Sequence, residues 1–174
     1  GRYEVVALAD LSGSAMEQYD ELFGEFADYH PAHYTDAREM LDNEGLDVVS
    51  VATWHTGHST WTIAAAARKP GAILCEKPMA VDIGSADEMR VVCQRNGVKL
   101  AIAHQRRFLP SYTSARELIA EGAIGDVVLI TSISGSGLPN DASHHMDMYR
   151  YVLSDDDCQW VMGQVERGTD RHER

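Results

Sequence analysis

The stretch ILCEKPMA, residues 73–80, decides the fold of this chain. Its first three residues are apolar and predict a short buried strand, and the next three present an acid, an amine and a proline together. A helix is expected to begin close behind it, near Ile83. In an open α/β sheet the ligand crevice forms at the carboxyl ends of the strands. Lys77 is therefore the first candidate for chemistry, although an exposed lysine in a proline-terminated turn has the same pattern.

The first 110 residues alternate between buried strands and amphipathic helices. Nearly continuous apolar runs are typical of parallel strands covered on both faces, and apolar residues three and four apart give a helix one apolar face. The alternation predicts an α/β fold with a Rossmann-type, doubly wound parallel sheet. The predicted strands are 3–10, 47–53, 73–76 and 98–103, the predicted helices are 14–28, 36–41, 61–69 and 85–96, and 30–34 is a connection.

The pattern changes after residue 110. A helix is expected at 111–120, and apolar and polar residues then alternate from Val127 to Ile133. Such alternation is typical of an antiparallel sheet with one open face, and 159–165 is predicted to add a strand. We therefore predict two domains: a dinucleotide-binding domain over 1–110, and the beginning of an α+β open-sheet substrate domain over 111–174.

Composition limits the partners. The chain has 174 residues, 15 Lys and Arg, 27 Asp and Glu, a formal net charge of -12 and a pI near 4.9. No basic cluster is available to neutralise phosphates, so neither a nucleic acid nor an anionic membrane is an expected partner, and no apolar run is long enough for a membrane span. Three widely spaced cysteines, Cys75, Cys93 and Cys158, favour free thiols in a reducing cytosol over a disulfide framework. A cytoplasmic protein is expected.

Asp10 stands at the end of the first predicted strand, which resembles a second strand of a dinucleotide-binding sheet. A carboxylate at that position accepts hydrogen bonds from the adenosine ribose hydroxyls and disfavours a 2′-phosphate. With Leu11 following and no arginine beside it, Asp10 favours NAD over NADP. The alternative is that Asp10 caps a helix that begins near Ser14, because Asp and Ser are preferred caps.

The phosphate-binding GxGxxG turn should lie about 20 residues before that carboxylate, but only nine residues precede Asp10. Gly13, Gly24, Gly45 and Gly57 do not form the motif. The strand that carries the turn is central in the doubly wound order. We therefore expect the first β–α unit to be missing from this sequence and the sheet to have a gap between its second and fourth strands.

Cys-Glu-Lys-Pro after an apolar strand resembles the signature of the Gfo/Idh/MocA oxidoreductases, NAD(P)-dependent enzymes that act mostly on sugars and polyols. The resemblance implies that Glu76, Lys77 and Pro78 bind the cofactor. Its members usually show a strand, Thr-Pro and then a histidine that opens a helix; this sequence has Thr53, Trp54 in place of the proline, and His58.

The implied role of Thr53, Trp54 and their loop is contact with the cofactor near its ribose and nicotinamide. His58 either contacts the cofactor or is a helix N-terminal residue with a satisfied ring. The segment 105–110 resembles the family's Asn-Arg-Arg-Phe-x-Pro, with Gln105 replacing Asn. Arg106 and Arg107 could orient polyol hydroxyls or a substrate carboxylate through their forked donors, or pair with acidic surface residues.

A second constellation resembles the family's Asp-x-Gly-x-His-x-x-Asp, in which the histidine is the usual proton acceptor. Matching on His144 and Asp147 puts Asn140 at the position of the first Asp and Ala142 at the Gly. The resemblance implies that His144, Lys77 and Asn140 are catalytic and that Asp147 binds substrate. Asn140 could position a hydroxyl but could not carry charge. Alternatively, His144 only caps its helix and Asp147 pairs with Arg150.

No metal site is predicted, because adjacent histidines on a helix point about 100° apart. The chemistry fits the residue types: oxidising an alcohol needs a base with a pKa near neutrality, and an ammonium can polarise the same oxygen.

The predicted function is hydride transfer between NAD, with NADP disfavoured, and a sugar, polyol or related carbonyl compound. The alternatives are an NAD-dependent glycosidase of the same family and a non-catalytic dinucleotide-sensing protein. Relatives generally pair through the open sheet, so a homo-oligomer of the full-length protein is implied.

Overall fold

The computed structural model describes residues 3–25, 29–135 and 138–164. Short 3₁₀ turns cover His55–Gly57 and Gln105–Phe108, and a π-helical turn covers Leu138–Ala142. The strands are β1 (Ala7–Ala9), β2 (Ala32–Tyr34), β3 (Val48–Val51), β4 (Ala72–Cys75) and β5 (Lys99–Ile102). The helices are α1 (Gly13–Phe23), α2 (Ala37–Asn43), α3 (His58–Ala66), α4 (Ile83–Asn96), α5 (Pro110–Ala120) and α6 (Ser143–Val152).

The strands form two parallel sheets with helices between successive strands. β1 pairs with β2 in one sheet, and β3, β4 and β5 pair in that order in the other. In the doubly wound order 3-2-1-4-5-6, β2 and β1 correspond to strands 3 and 2, and β3, β4 and β5 correspond to strands 4, 5 and 6. No strand occupies position 1 in the part of the chain that the structure describes.

The core lies around β4, the middle strand of the larger sheet. Ile73 and Cys75 of β4 are fully buried and pack with Ala65 of α3 and Met89 of α4. The small side chains of α3 let its backbone approach the sheet closely, and the longer Met89 fills the space that remains. Full burial of a side chain as large as Ile73 contributes roughly 1.5–3 kcal/mol to folding.

Local signals fix the ends of α4. Asp82 caps its first turn, because Oδ1 of the carboxylate accepts a hydrogen bond from the backbone N–H of Ser85 at 2.8 Å. Gly97 ends the helix with a left-handed φ of 72°, a conformation that costs glycine nothing. The bounds of α4 therefore follow closely from the sequence pattern.

The antiparallel sheet predicted from Val127 is not observed. Residues 126–134 contain no strand, and Val128 and Ile133 are each 93 % exposed. The strand predicted at 159–165 is also wrong over 159–164, whereas Val165 lies outside the described residues. Alternation determines which face of a strand is apolar, but a strand forms only where its backbone groups pair with a neighbour, and no described strand lies beside these segments.

The first sheet differs from expectation in its bounds. Residues 32–34 were predicted to be part of a connection, but they form β2, in which Ala32 pairs with Ala7 of β1. A three-residue strand after Pro31 is too short for the periodicity of side chains to reveal. β1 covers Ala7–Ala9 only, and α1 ends at Phe23; residues 26–28 of the predicted helix 14–28 lie outside the described residues.

Across residues 3–25, 29–135 and 138–164, no helix combines the length and the apolar character needed to cross a membrane.

Candidate active site

The loops that carry the predicted site residues meet at one edge of the larger sheet. Val51 of β3 is in register with Cys75 of β4, and Cys75 is in register with Ile102 of β5. Because the strands are parallel, the three loops that follow them begin side by side. They are 52–57 after β3, 76–82 after β4 and 103–109 after β5.

Lys77 contacts the turn before α6. Its Nζ donates hydrogen bonds to the backbone oxygen and to Oδ1 of Asn140, both at 2.8 Å. The backbone N–H of Lys77 donates to Oε2 of Glu76 at 3.2 Å. The structure therefore brings together Lys77 and Asn140, which lie 63 positions apart in the sequence. The amide of Asn140 is neutral, so it orients the ammonium without neutralising it.

His58 links the loops after β3 and β4. Its ring is fully buried at the start of α3, with Nδ1 2.7 Å from the carbonyl oxygen of Pro78 and Nε2 2.9 Å from that of Thr53. A neutral ring donates at one nitrogen only, so the tautomer determines which carbonyl accepts. Of the two sequence interpretations, the satisfied helix N-terminal residue describes this position. His58 holds Pro78, and with it the cis Lys77–Pro78 peptide, against the loop that begins with Thr53.

The loop after β3 is tightly packed at one point. A side chain at Gly57 would place a Cβ only 2.7 Å from Oγ1 of Thr53 and 3.3 Å from Cδ1 of Trp61, so no larger residue fits without a shift. Trp54, which replaces the expected proline, is 76 % exposed. The loop therefore presents a large aromatic surface beside Thr53 while its path is fixed by Gly57.

Asp10 follows β1 and is exposed. Its Oδ1 accepts a hydrogen bond from the backbone N–H of Ser12 at 2.8 Å. The N-cap of α1 is Ser12, whose Oγ accepts from the N–H of Ala15 at 3.3 Å. Asp10 is thus not the helix cap, and its carboxylate can accept further hydrogen bonds.

His144 occupies the first turn of α6 and is 5 % exposed. Its Nδ1 is buried and has no hydrogen-bond partner among the described residues. Burial lowers the pKa of this imidazole, and the nearby positive charges of Arg106 and Lys77 lower it further, while Asp141 acts in the opposite direction. At neutral pH His144 is therefore an uncharged base.

Asp141 lies next to Asn140 and connects several elements. Its Oδ2 accepts a hydrogen bond from Oγ of Ser134 at 2.5 Å, its Oδ1 accepts from Nη2 of Arg106 at 3.2 Å, and Nε2 of His145 lies 3.6 Å from Oδ2. The hydrogen bond from Ser134 is the main cause that lowers the pKa of Asp141, and the charges of His145 and Arg106 lower it further. Arg106 reaches the site already paired with this carboxylate.

Arg107 is bound to two carboxylates. Its Nε donates to both oxygens of Asp147 at 2.9 Å, and its Nη1 and Nη2 donate to Asp155 at 3.1 and 2.9 Å. The hydrogen bonds that it donates to Asp155 and Asp147 raise the pKa of this guanidinium above its already high ordinary value. Its carbon Cζ also lies 5.3 Å from the centre of the Tyr151 ring. Arg107 and Asp147, both predicted to bind substrate, thus bind each other.

Sequence reasoning missed three residues at this site. His104 lies two residues after β5 and contacts both Asp147 and His144; Ser134 binds Asp141; Asp155 binds Arg107. The position of His104 at the carboxyl end of a predicted strand was a usable signal. Ser134 and Asp155 are ordinary loop residues, and no sequence pattern separates them from their neighbours.

No three His, Cys, Asp or Glu side chains lie in an arrangement that could hold a metal ion, as far as the structure describes the chain.

Residues 1–104 match the model of the GFO_IDH_MocA family, described as an oxidoreductase family with an NAD-binding Rossmann fold. The chain is 32% identical to D-apiose dehydrogenase of Paraburkholderia graminis, over 70% of this chain and 31% of that protein. It is 30% identical to trans-1,2-dihydrobenzene-1,2-diol dehydrogenase of Mus musculus, over 72% of this chain and 36% of that protein.

Among solved structures, the aldose-aldose oxidoreductase of Caulobacter crescentus complexed with glycerol superposes with a TM-score of 0.68 at 26% identity. The match covers 86% of this chain and 49% of that one. The chain spans about a third of the length of the two curated relatives named above. The matched family model, the relatives and the sheet topology agree, and the chain belongs to the Gfo/Idh/MocA family of oxidoreductases.

Proposed function

We propose that the protein is an NAD-dependent oxidoreductase that transfers a hydride between NAD(H) and a CH–OH group of a sugar, polyol or related hydroxy compound. The observation that carries this proposal is the pair of hydrogen bonds from Nζ of Lys77 to Asn140, one turn before His144. It joins an amine at the end of β4 to the helix that carries a neutral base. The relatives' names, which specify apiose, a dihydrobenzenediol and aldoses, agree with this substrate class.

Asp10 fits the role of binding the adenosine ribose of NAD. Asp10 is exposed at the end of β1 and accepts only the N–H of Ser12 among the described residues, so ribose hydroxyls can donate to it. Its negative charge opposes a 2′-phosphate, which makes NADP the disfavoured cofactor. Thr53, Trp54 and the segment 76–78 lie at the same edge of the larger sheet and would hold the rest of the bound cofactor.

The protein's part in the reaction is proton handling and orientation. When bound, NAD supplies the acceptor or donor of the hydride. His144 takes the hydroxyl proton as the alcohol is oxidised, since burial and neighbouring cations keep it neutral. Lys77 polarises the same oxygen and stabilises the negative charge that develops on it. Asn140 orients Lys77 and leaves its charge available.

The two arginines after β5 take different parts in this proposal. Arg106 contacts substrate hydroxyls while its Nη2 stays bound to Asp141. Arg107 and Asp147 shape the substrate site as a pair, because Nε of Arg107 donates to both carboxylate oxygens of Asp147.

We further propose that the boundary between the dinucleotide-binding and substrate domains lies near residue 110, where α5 begins. Cys75, Cys93 and Cys158 are all free thiols, which agrees with a cytoplasmic location. The full-length protein is proposed to form a homo-oligomer.

A second candidate function is a non-catalytic protein that senses a dinucleotide. It is favoured by one observation: Asn140 stands where the resemblance implies a charged Asp. A neutral partner for Lys77 supports binding of a ligand as readily as turnover.

Lys77→Ala tests the proposed function. We expect kcat of the full-length protein to fall by about 10²- to 10³-fold, the range measured when a group that stabilises developing charge is removed. Binding of NADH, followed by its fluorescence, should weaken far less. Lys99→Ala is the matched control, because Lys99 is exposed at the amino end of β5 and should leave both measurements unchanged.

Unchanged turnover in Lys77→Ala would refute the proposed mechanism. Saturable NADH binding together with no turnover of any sugar, polyol or diol by the unmodified protein would favour the sensing function instead.

A further inference from the structure

A second histidine packs against the proposed base. The rings of His104 and His144 meet edge to face, with centroids 6.1 Å apart and planes at 84°. Nδ1 of each ring is buried and has no hydrogen-bond partner in the described part of the chain. The two rings come from separate elements, the carboxyl end of β5 and the first turn of α6. Two ionisable rings in contact, each with an unsatisfied nitrogen, are unusual in a protein interior.

Asp147 also contacts His104. Its Oδ2 lies 3.7 Å from Nδ1 of His104, just beyond the length of a hydrogen bond. Arg107 holds the same carboxylate through both oxygens, and the side chain of Asp147 is only 11% exposed. His104 therefore has a fixed carboxylate near one nitrogen and the ring of His144 against one side.

We propose that His104 is a positioning residue for His144 and that the two rings take up protons as a coupled pair. This inference adds a second residue to the function proposed above. Only the measurement of turnover rests on that function, whereas the NMR titration does not. Two positive rings in contact repel each other strongly in buried surroundings. The two protons are therefore lost in two steps, and the apparent pKa of each step is a property of both rings together. Once His104 is charged, His144 is held neutral and able to accept the substrate's proton.

The fixed charges beside the two rings differ. Lys77 and Arg106 are the cations near His144, and Asp141 is the anion near it. The carboxylate of Asp147 stands beside His104 instead.

Two further groups complete the surroundings of the pair. Arg107 partly neutralises Asp147 and is itself held by Asp155. His145, the neighbour of His144, faces Asp141. These contacts limit the pull of Asp147 on His104, so the repulsion between the two rings is the main source of the coupling.

The pair is tested by NMR of the full-length protein with ring-labelled histidine, titrated from about pH 4.5 to about pH 9. His104→Phe keeps a planar ring against His144 and removes its charge. We expect His144 to titrate at a pH higher by about half a unit or more, along a single-site curve. His33→Phe is the matched control. His33 lies in β2 of the smaller sheet and pairs with Asp20, so its replacement should leave the titration curve of His144 unchanged.

His144→Phe gives the reciprocal measurement, because a coupling free energy acts equally on both sites. The single-site midpoints of His144 in His104→Phe and of His104 in His144→Phe, added together, should exceed the sum of the pair's two apparent midpoints by the full coupling. The smaller variant His104→Gln also removes the charge and decides the matter if a Phe variant does not fold. The proposal is overturned if that excess is below about 0.1 unit, or if the midpoint of His144 moves by less than this in folded His104→Phe or His104→Gln.

Turnover separates this inference from the proposed function. In His104→Phe, the acid limb of the pH profile of kcat/KM should move upward by the same amount as the midpoint of His144, with KM at high pH within about twofold of the unmodified value. An NMR shift without a displaced acid limb would uphold the pair and refute His144 as the base. A displaced acid limb without an NMR shift would overturn the pair.

Discussion

Two regions of the molecule both contain many apolar residues but differ in how they bury them. In the larger sheet and its helices, residues 48–102, Ile73 and Met89 are fully buried. In residues 121–164, Val128 is 93% and Leu129 79% exposed. The first region has three strands in parallel register that give each apolar side chain a neighbour. Apolar content alone therefore does not make a core; paired backbone must hold the side chains in place.

The site lies across both regions. Lys77 comes from the well-packed region, whereas Asn140 and His144 come from the second. The buried residues of α6 are His144, Met148 and Tyr151, and Arg107 holds the helix through Asp147 and the following turn through Asp155. The half of the proposed site that carries His144 is thus positioned by charged contacts as well as by apolar packing, and the half that carries Lys77 is positioned by the core.

The largest expected difference between the regions is in the effect of removing an apolar side chain. Met89→Ala leaves a cavity in a fully buried site and should lower the free energy of unfolding by about 2–5 kcal/mol. Leu129→Ala removes an exposed side chain and should change it by less than about 0.5 kcal/mol. Urea unfolding measures both. Equal losses would mean that Leu129 is covered in solution and that the contrast between the regions is wrong.

A smaller difference is expected at two left-handed glycines that end helices. Gly97 follows α4 with φ 72°, and Gly122 follows α5 with φ 80°; neither has an atom that an added Cβ would meet within 4 Å. Gly97→Ala should therefore destabilise through the backbone alone, by about 1 kcal/mol. α5 has no buried residue, so Gly122→Ala should cost clearly less by the same urea measurement. A cost at Gly122 as large as that at Gly97 would place the end of α5 in the cooperative core.

The smallest expected effect is a change in Tm when the ion pair between Arg107 and the exposed Asp155 is removed, and this change depends on pH. Hydrogen bonds from Arg107 are the main cause that lowers the pKa of Asp155 below 3.8 in the folded protein. A lowered carboxylate pKa stabilises the fold above the unfolded value, and the gain is lost as the pH falls through the folded value. The Tm of the unmodified protein should therefore exceed that of Asp155→Asn at neutral pH, and the difference should shrink below pH 3.8.

Asp157→Asn is the matched control for that measurement, because Asp157 lies two residues beyond Asp155 and forms no ion pair in the part of the chain described. Its Tm should follow that of the unmodified protein at every pH. A Tm difference for Asp155→Asn that persists unchanged at low pH would mean that packing, and not the ion pair with Arg107, holds the turn after α6.

The parallel layer was predictable because each of its signals is local. Apolar runs located β3, β4 and β5, and Gly97 marked the end of α4. The family resemblance implied that Lys77 and Asn140 are both catalytic, but their contact was not predicted, since nothing local connects residues 63 positions apart. The sheet from Val127 was mispredicted because alternation describes one strand and says nothing of a neighbour. His104 and Asp155 were missed because their partners are fixed only once β5 and α6 are packed.

The buried ring of His58 has a consequence for changing this protein. It contacts a carbonyl oxygen in each of the two loops that would frame the nicotinamide, so a displacement of the first turn of α3 reaches Thr53 and Pro78 together. Redesign of one loop alone would be opposed by the other through this single side chain. Redesign of ligand binding at this edge of the sheet should therefore keep His58 and begin with Trp54, whose exposed ring does not link the two loops.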